Sequence, residues 1–328
     1  MRKWKAWLFL LAFNATAVSA QAIDELKLVA EYPVEGMRGG NLSGLAVCQG
    51  NFWAVSDRDD DRYYRLHSEG PIWKAEAHAI TALSPPESHL PWNQRVFVRI
   101  AEGRRGGSLD LEGITCDRAG NRYLVSEGFA AVLQDPVQGK QSWIKWPDQL
   151  MSEANRRGLL TQFNSLYEGL TVSPDGQELW LAAERQRRGL LTLFKQGDGW
   201  VCQKQCVIFA EGGTKPIPPA LGKRGPLPVD FSDIAYYQGK LFTLERAAHQ
   251  VCRRDPKSGR SERCWSFAAT LLAPTRHYKQ NWGLAEALWI DERGAWIGLD
   301  TGDLARADGD TRSYVLHYAT PTGGWVLP

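Results

Sequence analysis

Beyond an apolar stretch at its N-terminus, the sequence has no hydrophobic run of membrane length, so no downstream segment is a candidate spanning helix. Gly-x-Ser-x-Gly is absent too, which leaves a serine-hydrolase elbow without a candidate. So is the glycine-rich loop that cradles nucleotide phosphates. No histidine pair sits at ligand spacing beside the cysteines, and a zinc site of the usual kind has no support. Charge of one sign is not in surplus. Lys and Arg number 39 against 37 Asp and Glu, a net of +2, so any electrostatic argument must rest on local patches. Basic residues are not interleaved with an aromatic stripe, which argues against a nucleic-acid partner.

The N-terminus reads as an export signal. Arg2, Lys3 and Lys5 precede the apolar stretch Trp7 to Phe13, and Val18-Ser-Ala20 offers a small-residue cleavage site. Residues 1–20 are therefore expected to be a signal peptide and residues 21–328 a single domain, monomeric and exported to a periplasm or the cell exterior. An uncleaved anchor is the alternative. Six cysteines suit an exported chain with disulfides. Cys252 and Cys264 flank the turn Asp255 to Gly259 almost symmetrically, which puts them opposite one another on a hairpin. Cys202 and Cys206 are close enough to bridge, and Cys48 with Cys116 remain as a third pair.

Five segments of the chain are self-similar. They run from Leu42 to Arg58, Leu111 to Gly128, Tyr167 to Arg185, Phe231 to Arg246 and Ala285 to Thr301. Each reads as a short apolar strand, a polar turn containing Gly, and a second apolar strand ending in a carboxylate. A further strand pair follows, such as Leu190 to Lys195 with Trp200 to Phe209, or Gln250 to Arg254 with Arg260 to Phe267. Four antiparallel strands repeated about an axis make a propeller blade, so the expected fold is an all-β propeller. No gap between repeats is wide enough to hide another blade of this size, and five blades are expected. A sixth, drawing on Pro71 to Ile100 and strands near the termini, is the alternative. Leu26 to Val34 is a strand-like segment free to help close the ring.

Antiparallel pairing sets the start of each first strand beside the end of the second. The opening residues are Ser43, Glu112, Glu168, Ser232 and Glu286. The closing carboxylates are Asp57, Glu127, Glu184, Glu245 and Asp300. All ten are expected at one end of a central channel. Glu112, Glu168 and Glu286 would offer hard oxygen ligands to a divalent cation, with Ser43 or Ser232, the closing carboxylates and water completing its shell. Calcium suits such a donor set. The loops on this rim are basic, and Arg58, Arg105, Arg185 and Arg246 are candidates to hold a small anionic substrate. His249 and His277 fall on the same rim and are candidate general bases. For the closing carboxylates a structural role competes: pairing with the arginine that follows (Asp57 with Arg58, Glu184 with Arg185, Glu245 with Arg246), or accepting N–H bonds from the next blade.

The repeated opening, in Leu42-Ser-Gly-Leu, Leu111-Glu-Gly-Ile, Tyr167-Glu-Gly-Leu and Phe231-Ser-Asp-Ile, resembles the phytase-like propeller family described as having the esterase-like activity of phytase. The resemblance implies a propeller, an exported location, and hydrolysis of phosphate or other esters. The fifth repeat departs from the pattern, with Ala287 after Glu286 where the first three repeats have a Gly. A glutamate opening a first strand also resembles gluconolactonase-type propellers, which makes a lactonase or carboxylesterase a rival. A non-catalytic propeller that binds a protein or envelope component is the third reading.

Overall fold

The computed structural model of the protein describes residues 23–38, 41–82, 109–162, 166–185, 187–222, 225–280 and 282–327. The expected leader and the candidate anion-binding residue Arg105 lie outside the described residues. Strands β1 (Asp24–Glu25) and β2 (Leu28–Glu35) come first. The first repeat forms β3 (Gly44–Cys48), β4 (Asn51–Val55), β5 (Arg62–His67) and β6 (Trp73–Ala79). The second forms β7 (Leu111–Cys116), β8 (Arg122–Ser126), β9 (Ala131–Asp135) and β10 (Ser142–Trp143). Helix α1 (Gln149–Arg156) leads to β11 (Tyr167–Val172), β12 (Glu178–Ala183) and β13 (Arg187–Gln196), on which both β14 (Gly199–Val201) and β15 (Val207–Gly212) pair. A short hairpin, β16 (Thr214–Lys215) with β17 (Leu227–Pro228), precedes the fourth repeat. That repeat is β18 (Asp233–Tyr237), β19 (Lys240–Glu245), β20 (Gln250–Arg254) and β21 (Ser261–Ser266). The fifth is β22 (Ala285–Asp291), β23 (Gly294–Leu299) and β24 (Ser313–Ala319).

The fifth repeat supplies only three strands, and the N-terminal β2 is the fourth, antiparallel to β24. Its far end also runs parallel to β6, so the fifth and first units share one eight-stranded sheet. Strand β1 adds in parallel to β21 and covers a second edge. The segment expected to close the ring is thus paired on both sides. Trp73–Ala79 is the outer strand of the first unit, and residues 83–108 lie outside those described. One expected strand is split: between Trp200 and Phe209 the Cys202–Cys206 disulfide closes a loop that separates β14 from β15. The other two expected bridges, Cys48–Cys116 and Cys252–Cys264, are also formed, the latter between residues directly opposite in register.

Each inner strand (β3, β7, β11, β18, β22) contacts the next, and β22 contacts β3. The apolar core is distributed accordingly, as clusters between neighbouring units rather than one central mass. Tyr123, Val125 and Val132 of the second unit pack on Leu179, Leu181 and Leu191 of the third. Phe242 and Trp265 of the fourth meet Leu288 and Ile297 of the fifth. Phe52 and Trp73 of the first meet Trp296 of the fifth. Since the alternate residues of each strand face opposite neighbours, the strands are buried on both sides and read as near-continuous apolar runs.

Around the axis the backbones approach closely. A Cβ on Gly44 would stand 2.7 Å from the Gly113 Cα, and one on Gly169 would stand 2.5 Å from an Asp233 carboxylate oxygen. Only the lack of a side chain allows these approaches. Asp233 fills the place these glycines leave, accepting N–H bonds from Ile234 at 2.7 Å and Leu288 at 2.6 Å. Here the axis is filled by protein, with a cavity on either side. Gly169→Ala is expected to lower unfolding free energy by about 2 kcal/mol through overpacking. Gly199→Ala, whose Cβ would meet nothing nearer than 3.9 Å, should change denaturant midpoints little.

Candidate functional site

At the end of the axis where first strands begin lies a cavity of ≈ 380 Å³. Eight carboxylates line it: Asp57, Glu112, Glu127, Glu168, Glu184, Asp230, Glu286 and Asp300. Three guanidiniums, Arg58, Arg185 and Arg246, line it with them. Seven of the ten rim positions expected from the repeat therefore share one space. Ser43, Ser232 and Glu245 do not line it.

A local backbone device aims the three opening glutamates. In each of β7, β11 and β22 the register with the second strand shifts across the glutamate: Leu111 and Gly113, Tyr167 and Gly169, Ala285 and Ala287 are paired, and the residue between is not. Such a bulge re-aims a side chain that strict alternation would place elsewhere. β3 and β18 begin two positions later in the repeat, just after their serines, and have no such shift. There the serine hydroxyls are used on backbone: Ser43 Oγ accepts from the Asp57 N–H at 3.2 Å, and Ser232 Oγ donates to the Ala285 carbonyl at 2.9 Å. Ser43 thus holds a closing carboxylate in place from behind, and neither serine lines the cavity.

Glu245 also stands apart from the cavity. Its buried carboxylate meets Arg188 at 2.8 Å and Arg254 at 2.7 Å and also bonds Lys215, away from the cavity. Burial alone would push its pKa up, but Arg188, Lys215 and Arg254 outweigh that and hold it at about 2. Arg246, expected to pair with Glu245, turns into the cavity instead. Its guanidinium bonds Glu286 and Glu184 and lies 3.3 Å from Asp230 and 3.7 Å from Glu168. Its donors are shared among four protein carboxylates, and it is far less exposed than Arg58 and Arg185 at the mouth. The other expected pairs form: Arg58 lies 3.4 Å from Asp57, and Arg185 lies 2.8 Å from Glu184. Both are more than a third exposed, so each pairing contributes little by itself. Glu127 accepts the Leu166 N–H at 2.8 Å, a bond to the next unit.

Neither candidate histidine lines the cavity. His249 is buried against Phe267, with a left-handed φ of 53°, and His277 is exposed beyond a short 3₁₀ turn. Arg105 lies outside the described residues.

Two acidic residues escaped the repeat-based reading. Asp230 lines the cavity and accepts the Ala247 N–H at 3.2 Å. Asp110 offers an oxygen within 4.8 Å of oxygens of Asp57 and Glu112. Both stand two residues before an opening residue, as does Asn41, which donates to Asp300 at 3.2 Å. The polar character of this third position in the first, second and fourth repeats was the available signal.

So many carboxylates cannot all ionise unaided. Burial, and then the neighbouring Glu168, push the Glu112 pKa well above the usual carboxylate range. Burial and Glu184 do the same for Glu168. Glu286 is raised to about 8, chiefly by burial, against the opposing pull of Arg246. Asp230 and Asp300 are raised to about 6, again chiefly by burial. The alternative to protons is a cation. Two groups of three carboxylates each offer oxygens within 4.8 Å of one another: Asp57, Asp110 and Glu112, and Glu127, Glu168 and Glu184. Glu184 Oε2 is buried with no hydrogen-bond partner among the described residues. All-oxygen donors with an unsatisfied buried oxygen fit a hard divalent ion. The remaining group, Glu245 with Cys252 and Cys264, does not fit, since both sulfurs are in a disulfide.

Residues 38–196 match the Phytase-like family model, described as esterase-like activity of phytase. No curated protein matches the sequence. Among solved structures, glutaminyl cyclase from Myxococcus xanthus is similar with a TM-score of 0.50 at 11% identity, over 90% of this chain and 99% of that one. A luciferin-regenerating enzyme gives 0.43 at 9% identity, over 91% and 79%. A catalytically inactive virginiamycin B lyase from Staphylococcus aureus gives 0.37 at 14%, over 86% and 67%. At these identities the first likeness is one of fold, and the two lower scores carry no argument.

Without a bound cation, the raised carboxylates favour the folded state only while protonated. Their contribution is complete below the unfolded carboxylate range near pH 4 and is lost as pH rises through about 6 for Asp230 and Asp300 and about 8 for Glu286. Glu245 has the opposite sign: its contribution is present above pH 4.5 and is lost as pH falls toward about 2. Thermal midpoints of the chelator-treated protein should therefore fall between pH 5 and 8.5. Glu286→Gln should flatten the upper part of that fall.

Proposed function

From the premise that residues 38–196 belong to the phytase-like family, we propose that the protein is an exported, five-bladed propeller that hydrolyses an anionic ester at the acidic end of its axis with the help of calcium. The blade count rests on reading the eight-stranded sheet as two blades joined through β2 and β6, and on the circuit of five contacting inner strands. The observation that carries the function is the convergence of eight carboxylates and three guanidiniums in one cavity.

Asp57, Asp110 and Glu112, with Glu127, Glu168 and Glu184, are the residues that would hold calcium. A divalent cation there would supply positive charge to a bound ester oxygen and lower the pKa of water. The chain's own residues do the rest. Arg58 and Arg185, half-exposed at the mouth, hold the substrate's anionic group. Arg246 keeps Glu168, Glu184, Asp230 and Glu286 compact and in place. Asp300, with a pKa near 6 and oriented by Asn41 and the Gly302 N–H, takes the proton of the attacking water at neutral pH. Water adds across the phosphorus–oxygen bond, and the products are phosphate and an alcohol. Asp300 replaces the histidines as base because it lines the cavity and they do not.

Asp300→Asn is expected to lower kcat on a phosphate monoester by about 10²-fold or more. Chelation should abolish the activity, and added calcium restore it. Turnover of lactones but not phosphate esters would transfer the same site to a lactonase. No turnover of either, with or without calcium, would leave the binding-module reading.

A further inference from the structure

The other end of the axis holds a second cavity, also of ≈ 380 Å³, walled by the hairpin ends of all five repeats. Its character is unlike the first. Tyr236, Tyr237 and Trp289 supply aromatic surface, and Val47, Val172 and Ile290 supply aliphatic surface. Tyr236 is further stiffened by stacking on Trp180 at 5.4 Å between ring centroids. A concave, largely apolar site with a few polar groups at fixed points is the usual form of a small-molecule site.

The polar groups show what is missing. Trp289 Nε1 is buried and has no hydrogen-bond partner among the described residues. The guanidinium of Arg118 is exposed on the same wall, where its charge acts on Asp175 from a distance beyond that of an ion pair. Its backbone is held by the Pro174 carbonyl at 2.9 Å, which anchors the residue across the junction of the second and third units. Two wall carboxylates are already used in their own turns. Asp117 accepts from the Asn121 backbone and side chain at 3.0 and 2.8 Å. Asp291 accepts from Arg293, Gly294 and Trp296. Glu292 is exposed to water on the wall formed by the fifth unit. One unsatisfied N–H donor, Trp289 Nε1, and one exposed guanidinium thus stand beside an aromatic hollow, and the complement is an apolar body that carries hydrogen-bond acceptors and a negative charge.

We propose that this cavity is a second binding site, separate from the acidic one, for a small organic carboxylate with an aromatic or branched aliphatic body. The body packs against Tyr236, Tyr237 and Trp289, and the carboxylate accepts from Arg118 and Trp289 Nε1. Asp233 and the close-packed glycines lie between the two cavities, so binding here does not depend on the chemistry proposed for the other end.

The test uses the full mature protein and 3-phenylpropionate, with its neutral amide as control. Binding is followed by calorimetry and by the change in tryptophan fluorescence. Saturable binding of the acid is expected. Arg118→Gln should weaken it about tenfold, the change expected from one charge-assisted hydrogen bond. Trp289→Phe, which keeps the apolar wall and removes the donor, should weaken it with an unchanged thermal midpoint. The amide should bind less tightly than the acid and be indifferent to Arg118→Gln. Glu184→Gln, in the acidic cavity, should leave the acid's affinity unchanged. The proposal is overturned by absence of saturable binding, by equal affinity for acid and amide, or by an affinity that neither Arg118→Gln nor Trp289→Phe alters.

Discussion

A single buried guanidinium, that of Arg246, sits among Glu168, Glu184, Asp230 and Glu286 and lets carboxylates from three repeats share one space. The repeat architecture makes such a group necessary. Five inner strands meeting at one axis bring equivalent residues together, so a carboxylate repeated in sequence becomes like charge concentrated in space. Breaking a buried charge pair by removing one partner costs several kcal/mol, because the other is left uncompensated. Arg246 is therefore a constraint on the site, and it is less available to a substrate than Arg58 or Arg185.

One cation does not balance eight carboxylates, and what remains explains the rest of the site. Glu286, raised to about 8, keeps its proton at neutral pH, whereas Asp230 and Asp300, raised to about 6, keep theirs only in mild acid. Others are fixed by backbone, as Glu127 is by Leu166 and Asp300 by Gly302. The closing carboxylate of the fourth repeat, Glu245, was taken out of the ring altogether and neutralised by Arg188, Arg254 and Lys215. Identical sequence positions thus divide into two environments. Within this balance a divalent cation would do what protons otherwise do, with more charge in less volume.

Much of the fold was legible because the repeat is written in turn chemistry: a Gly-bearing turn between two apolar runs recurs five times, and antiparallel pairing then brings strand starts and ends together. The same logic placed seven of ten rim residues and the Cys252–Cys264 bridge, while Cys202–Cys206 followed from closeness in sequence and Cys48–Cys116 was the pair left over. It could not see the bulges at Glu112, Glu168 and Glu286, because a register shift depends on the partner strand and not on local sequence. Nor could it tell Glu245 from Glu184, since the difference lies in Arg188 and Arg254, contributed by third strands whose side chains converge only after folding. The histidines were near in sequence to rim residues and yet turned away. Proximity along the chain does not specify direction.

The central claim is that the surplus buried carboxylates hold protons that a divalent cation displaces. The direct measurement is calorimetric titration of chelator-stripped protein with calcium at pH 7 in buffers of different ionisation enthalpy. The account predicts tight binding with release of about one proton or more per ion, and an affinity that rises from pH 6 to pH 8. Binding without proton release and with equal affinity at both pH values, or no binding at all, would contradict it.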